Sequence, residues 1–198
     1  LTWLMWTGTT RLFPAPVAGI LTLILWVTLT GGLHLDGLAD CCDGLLASTT
    51  VERRLEIMKD PRLGAFGGIG LVLTLLLKAA ALSSLTTQSA LGILLAASLA
   101  RWCILPAGLL PLARPSGMGA DFKAGFRNWF IAAGAIIPLA LSIILGTRGL
   151  VSLLAGLLAA ALVLRLAQSR INGITGDVFG MTVEVVEVVS LLAFVGNW

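Results

Sequence analysis

The chain has 198 residues, of which 58% are apolar and only 12% charged, with a net charge of +3 and a mean hydropathy of +1.00. Soluble domains carry about 25% charged residues and 45–50% apolar ones, so this composition excludes a water-soluble globule. The apolar runs are continuous rather than alternating with period two, which argues against a transmembrane β-barrel.

The expected fold is all-α: a polytopic integral membrane helix bundle forming one domain over residues 1–198, with about six transmembrane helices. Leu1–Trp6 reads as the tail of an earlier helix, which implies a segment upstream. The predicted spans are Pro14–Leu33, Gly64–Leu85, Leu91–Leu112, Trp129–Leu145, Leu150–Leu166 and Val178–Val195. Pro106 and Pro138 fall inside two of them, where kinks are expected. Trp3, Trp26, Trp129 and Trp198 lie mostly near span ends and read as interfacial anchors. The three cysteines (Cys41, Cys42, Cys103) form no C-x-x-C pattern and read as reduced thiols.

The connections sort by charge. Arg53, Arg54, Lys59 and Arg62 fall in the first long connection, Arg114, Lys123 and Arg127 in the third, and Arg165 and Arg170 before the last span. The opposite side carries only Arg11 and Arg148. Basic loops stay in the cytoplasm, so a multi-pass protein of the cytoplasmic membrane is expected, with this side facing inward.

The chemistry concentrates in the segment 34–63. Asp36, Asp40 and Asp43 fall within about 60° of one helix face at 100° per residue. No basic partner stands three or four residues further on, so the like charges call for a cation. Hard carboxylate oxygens suit Mg²⁺ or Mn²⁺ bridged to substrate phosphates; the bland alternative is a solvated acidic helix face. Thr49-Thr50-Val51-Glu52 reads as a capping box opening a short helix that runs to Lys59. Pro61 biases Asp60 toward an extended conformation, from which it can fold back as a fourth carboxylate. Arg53, Arg54, Lys59 and Arg62 are candidate phosphate ligands, or simply topological charges. His34, the only histidine, is a candidate for orienting a carboxylate or moving a proton.

Lys78, Arg101, Glu184 and Glu187 lie inside apolar runs, where charges are costly and face the bundle interior. With Asp177 and Gly180 the two glutamates form a stripe along the last span. It reads either as the lining of a deep substrate cavity or as buried ion bridges to Lys78 or Arg101.

The stretch Gly31-Gly32-Leu33-His34-Leu35-Asp36-Gly37-Leu38-Ala39-Asp40-x-x-Asp43-Gly44, followed by Leu55-Glu56-Ile57-Met58-Lys59-Asp60-x-Arg62-x-Gly64-x-Phe66-Gly67, closely resembles the cobalamin 5′-phosphate synthase (adenosylcobinamide-GDP ribazoletransferase) family. Gly173-x-Thr175-Gly176-Asp177-Val178-x-Gly180 resembles its C-terminal block. The resemblance implies a Mg²⁺-dependent membrane phosphotransferase that joins adenosylcobinamide-GDP to α-ribazole or its 5′-phosphate and releases GMP. Its implied partners are those substrates and the lipid bilayer, with room for a homo-oligomer or for other enzymes of cobalamin synthesis, and no nucleic acid. Asp36, Asp40, Asp43 and Asp60 would hold metal, with Asp43, Asp60 or His34 taking the proton. Arg53, Lys59, Arg62, Lys78, Arg101, Asp177 and Glu184 would bind substrate. The family's N-terminal Arg-Leu-Pro stretch is not recognisable here, and Cys41-Cys42 and Pro61 depart from the usual residues.

Two other readings compete. A CDP-alcohol phosphotransferase uses similar aspartates, but its Asp-Gly-x-x-Ala-Arg pattern fails where Asp40 follows Ala39. A transporter would use Asp177, Glu184 and Glu187 as its pathway, but no internal repeat supports it.

Overall fold

The computed structural model describes residues 1–196. Among these described residues ten α-helices follow one another: α1 (Thr2–Thr9), α2 (Ala15–Thr30), α3 (Leu33–Leu46), α4 (Val51–Ile57), α5 (Ala65–Ser84), α6 (Gly92–Cys103), α7 (Met118–Gly125), α8 (Trp129–Ile144), α9 (Gly146–Ile171) and α10 (Gly176–Val195). Among the described residues the only strand-like feature is one isolated bridge, Leu112 with Ile174.

Among the described residues four segments are long and apolar enough to cross a membrane: α5, α6 with its extension to Leu109, α9 and α10. Counting each bent pair, α2–α3 and α7–α8, as one span gives up to six. The chain is thus an all-helical, multi-pass membrane bundle. Exposed apolar side chains run in helical stripes, such as Ile69, Val72, Leu73 and Leu76 on α5 and Leu154, Leu158 and Leu162 on α9. These are the faces that lipid covers.

α10 is the most enclosed helix and packs against α9, α3, α6 and α5. Val183, Val186 and Leu191 of α10 interlock with Ile93, Leu95, Leu99 and Ala100 of α6 and Leu82 of α5. The predicted third span is broken: α6 ends at Cys103 and a short 3₁₀ turn, Leu105–Leu109, carries Pro106. Proline lacks the N–H and clashes with the preceding turn, so the chain changes helix type there. The fifth predicted span is longer than expected, and Arg165 and Arg170 lie on its last turns rather than in a connection.

The chain turns by 87° between α2 and α3. Gly31 and Gly32 make that turn in left-handed conformation, with φ of 60° and 71°. A side chain there would be strained, although there is open space around both. α3 therefore leaves the line of α2 and packs against α10 and the first half of α5, with Leu35 and Leu38 near Leu71 and Leu75. Its Gly37 meets the backbone of Asp177 and Gly180 in α10, and its Asp43 meets Gly64 and Gly67 at the start of α5. A Cβ at Gly180 would stand 2.8 Å from the His34 carbonyl oxygen, so these glycines set how closely α3 and α10 cross.

Trp26 corrects the expectation of an interfacial anchor. It is buried, and its Nε1–H donates to Glu187 Oε1 at 3.2 Å. Trp129 is exposed and Trp3 partly buried, in keeping with anchoring; Trp198 lies outside the described residues. α4 is capped by Thr50, which accepts from Arg53 N–H, rather than by Thr49, and it ends at Ile57 rather than Lys59.

Candidate functional site

α3 presents Asp36 and Asp40, one turn apart, to an open groove of about 820 Å³. The opposite wall is the irregular segment 58–63 between α4 and α5, carrying Lys59, Asp60 and Arg62. The walls between are apolar, with Leu33, Leu35, Leu71 and Leu75. A second cavity of about 470 Å³ adjoins it and shares Asp60, Arg62 and Leu63, adding Asp43, Arg53 and Glu56. Sequence-predicted acids and bases from separate stretches thus meet at one edge of the bundle.

The aspartates do not play equal parts. Asp43 Oδ2 accepts from Gly64 N–H and Oδ1 from Gly67 N–H, each at 2.8 Å. It caps the first turn of α5, where free N–H groups and the helix dipole favour a carboxylate. Asp60 shares the groove with Asp36 and Asp40, but its carboxylate is held by Arg62: Oδ1 accepts from Nε at 2.9 Å and Oδ2 from Nη2 at 2.6 Å. Those hydrogen bonds pull the Asp60 carboxyl down to about 2. Asp40 is perturbed the other way. Burial, then the charges of Asp177 and Asp36, push it up to about 6. A carboxylate raised by its acidic neighbours is relieved by any bound cation.

Among the described residues no three His, Cys, Asp or Glu side chains converge tightly enough to form a ready-made metal cage. The donor set still fits Mg²⁺. That ion uses one or two carboxylates and completes its shell with water and substrate phosphates. Asp36 and Asp40 supply hard oxygens, while Lys59 and Arg62 stand across the groove for the phosphates.

Arg53 pairs with Glu56 at 2.8 Å on the surface. Asp177 takes Arg114 Nη1 at 3.2 Å and the Thr175 hydroxyl at 3.1 Å, while Arg114 Nη2 donates to the Leu55 carbonyl at 3.0 Å. Arg114 therefore ties α4 to the first turn of α10 beside the groove. The sequence marks it only as one more basic residue in a loop; its placement depends on the Leu112–Ile174 bridge, which draws that loop against α10. Arg54, one of the candidate phosphate-binding charges, turns inward instead. It is 7% exposed and donates to Ala47 O at 3.0 Å and Arg170 O at 3.4 Å, while its Nε has no partner. These carbonyls lie at the C-terminal ends of α3 and α9, where cations are favoured.

The intramembrane charges form one buried network. Lys78 Nζ reaches Glu184 Oε2 at 2.6 Å and also bonds Glu187, whose other oxygen takes Arg101 and Trp26. Lys78 lies 5.3 Å from the centre of the Trp26 ring. Of the two expectations for this stripe, the geometry displays the ion bridges, with Lys78 shared between Glu184 and Glu187. His34 is half-buried near the same level, and its Nδ1 has no hydrogen-bond partner.

Residues 1–195 match the family model described as cobalamin-5-phosphate synthase. An adenosylcobinamide-GDP ribazoletransferase of Geotalea daltonii is 56% identical over 75 residues, 38% of this chain and 30% of that protein. Its Escherichia coli K12 counterpart is 44% identical over 94 residues, 48% of this chain and 37% of the other. One from Clostridium botulinum is 44% identical over 103 residues, 52% and 42% respectively. The aligned stretches thus span less than half the length of these curated relatives. No solved structure matches. With nearly its whole length matched by one family model, this chain belongs to the cobalamin-5-phosphate synthase family.

Proposed function

We propose that the chain carries the phosphotransfer site of an adenosylcobinamide-GDP ribazoletransferase, Mg²⁺-dependent, in the cytoplasmic membrane with the groove facing the cytoplasm. The observation that carries this reading is the groove itself, which sets Asp36 and Asp40 of α3 across from Lys59 and Arg62. The charge asymmetry of the loops supports the orientation, and the family supports the substrates.

The donor's pyrophosphate lies along the groove, where Lys59 and Arg62 meet its oxygens. A divalent cation on Asp36 and Asp40 would neutralise charge on the pyrophosphate and on the departing GMP. The acceptor hydroxyl oxygen bonds to the phosphorus attached to the cobinamide. The bond from that phosphorus to the bridging oxygen breaks, and GMP leaves with that oxygen. The hydroxyl proton passes to a carboxylate within reach. Asp36 suits this role better than Asp43, whose two oxygens already hold the start of α5. Asp60 and Arg62 neutralise each other until phosphate arrives and draws the guanidinium away. Arg53 reaches the adjoining cavity, and Asp177 fixes Arg114 at the groove's inner end. Lys78, Arg101 and Glu184 hold the helices on which the site is built. The bulky corrinoid would rest at the open mouth of the groove.

The test is GMP release from adenosylcobinamide-GDP and α-ribazole by membranes containing the protein. Asp40→Asn is expected to abolish release at saturating Mg²⁺. Retained release in that variant would discard the mechanism.

A further inference from the structure

Behind the groove lies a smaller cavity of about 170 Å³ between the start of α3, the end of α6 and the first turn of α10. Leu33 and Asp36 belong to both cavities, so the two adjoin at that carboxylate. Its walls are mostly apolar, with Leu33, Ile104, Met118 and Phe179, while His34 and Asp177 supply polar groups. The half-buried imidazole of His34 has an Nδ1 that is enclosed without a hydrogen-bond partner. An enclosed, unsatisfied nitrogen is costly and is relieved when a partner enters or the ring shifts to meet one.

Resting on the transferase reading above, we infer that this cavity seats the aromatic base of the acceptor nucleoside, placing its ribose hydroxyl at Asp36. Three observations converge. Whole ligands occupy cavities of roughly 300–1,000 Å³, so a volume of about 170 Å³ takes one ring system and little more. The lining suits a base with few polar edge atoms, as a methylated benzimidazole is. Guanine presents donors and acceptors on several edges, and four apolar side chains would leave these unpaired. No Lys or Arg lines this cavity to meet the donor's phosphates, which keeps the guanylate in the groove beside Lys59 and Arg62. Donor and acceptor then meet at Asp36 from adjoining cavities, which brings the hydroxyl and the phosphorus together. Phe179 is fixed edge-on against Phe122, with ring centres 4.9 Å apart, so one wall of the cavity is held by packing.

The test uses the full chain in detergent or nanodiscs and labelled α-ribazole in equilibrium dialysis. Met118 is 53% exposed, so Met118→Trp can fill the cavity without disturbing the bundle core. Ile104→Phe is a second filler from the opposite wall. Each is expected to weaken α-ribazole binding at least tenfold, while binding of adenosylcobinamide-GDP changes less than twofold. Unchanged α-ribazole affinity in both folded variants would overturn the assignment, as would displacement of α-ribazole by guanosine in direct competition. If the wild type releases GMP but α-ribazole binding ignores both fillers, the transferase reading survives and the base pocket falls. If α-ribazole binds in a filler-sensitive way but GMP is never released, the pocket survives and the transferase reading falls. No α-ribazole binding to the wild type would remove both.

Discussion

Replacing Lys78 with methionine probes the charge network inside the bundle. Lys78 is 2% exposed, and its ammonium is shared between Glu184 and Glu187, which are 4% and 0% exposed. Two cations, Lys78 and Arg101, balance two carboxylates. The substitution keeps the volume but leaves Glu184 buried with no cation, since Arg101 stays on Glu187. Breaking a buried pair from one side costs about 3–5 kcal/mol. For a chain of this length, about 2–4 °C per kcal/mol gives a fall in Tm of about 6–20 °C. Thermal unfolding of the purified protein in detergent reads this directly. Adding Glu184→Gln to Lys78→Met removes the orphaned charge and leaves the Arg101–Glu187 pair balanced, so the double variant should regain stability over the single one. A Lys78→Met protein within about 1 kcal/mol of wild type, or a double variant no better than the single, would refute the view that these charges hold α2, α5, α6 and α10 together.

Other consequences can be measured separately. Gly31→Ala places a Cβ at φ 60° and should cost about 1–2 kcal/mol, seen as a lower Tm. Gly180→Val brings side-chain atoms onto the His34 carbonyl and should cost about 1–3 kcal/mol by forcing α3 off α10, read by Tm and by faster amide exchange in residues 33–40. Asp43→Ala removes the cap of α5 and should cost about 0.5–2 kcal/mol, with faster exchange at the Gly64 and Gly67 amides. Because Asp40 is raised to about 6, its protonated form is favoured in the folded protein. The metal-free protein should therefore lose stability as pH rises from about 4 to 6, and Asp40→Asn should flatten that slope. A slope of the opposite sign, or one unchanged by Asp40→Asn, would contradict the crowding of charge at that carboxylate.

The all-helical membrane architecture was legible because long apolar runs and one-sided basic loops are properties of composition. The spans near residues 64–85, 129–145 and 178–195 fall on α5, α8 and α10 within a few residues. The 87° turn at Gly31-Gly32 was not legible, since paired glycines also mark close packing. Asp36, Asp40 and Asp43 do share a face of α3, as their spacing predicts. Seven residues span about 10 Å of helix, however, and over that distance the neighbour changes from the groove to the first turn of α5. One stripe therefore supplies two roles. Arg54, Arg114 and Trp26 could not be picked out, because burial of a loop arginine or a span-end tryptophan is decided by which distant segment packs over it. Arg54 depends on α9, Arg114 on α10 and Trp26 on Glu187.

The most direct test of the groove as a cation–phosphate site is anomalous scattering from crystals of the protein soaked with Mn²⁺ and GDP. One peak is expected between the Asp36 and Asp40 carboxylates, with diphosphate density reaching from it toward Lys59 and Arg62. Manganese bound elsewhere, with those aspartates turned to solvent and the groove empty of phosphate, would contradict the account.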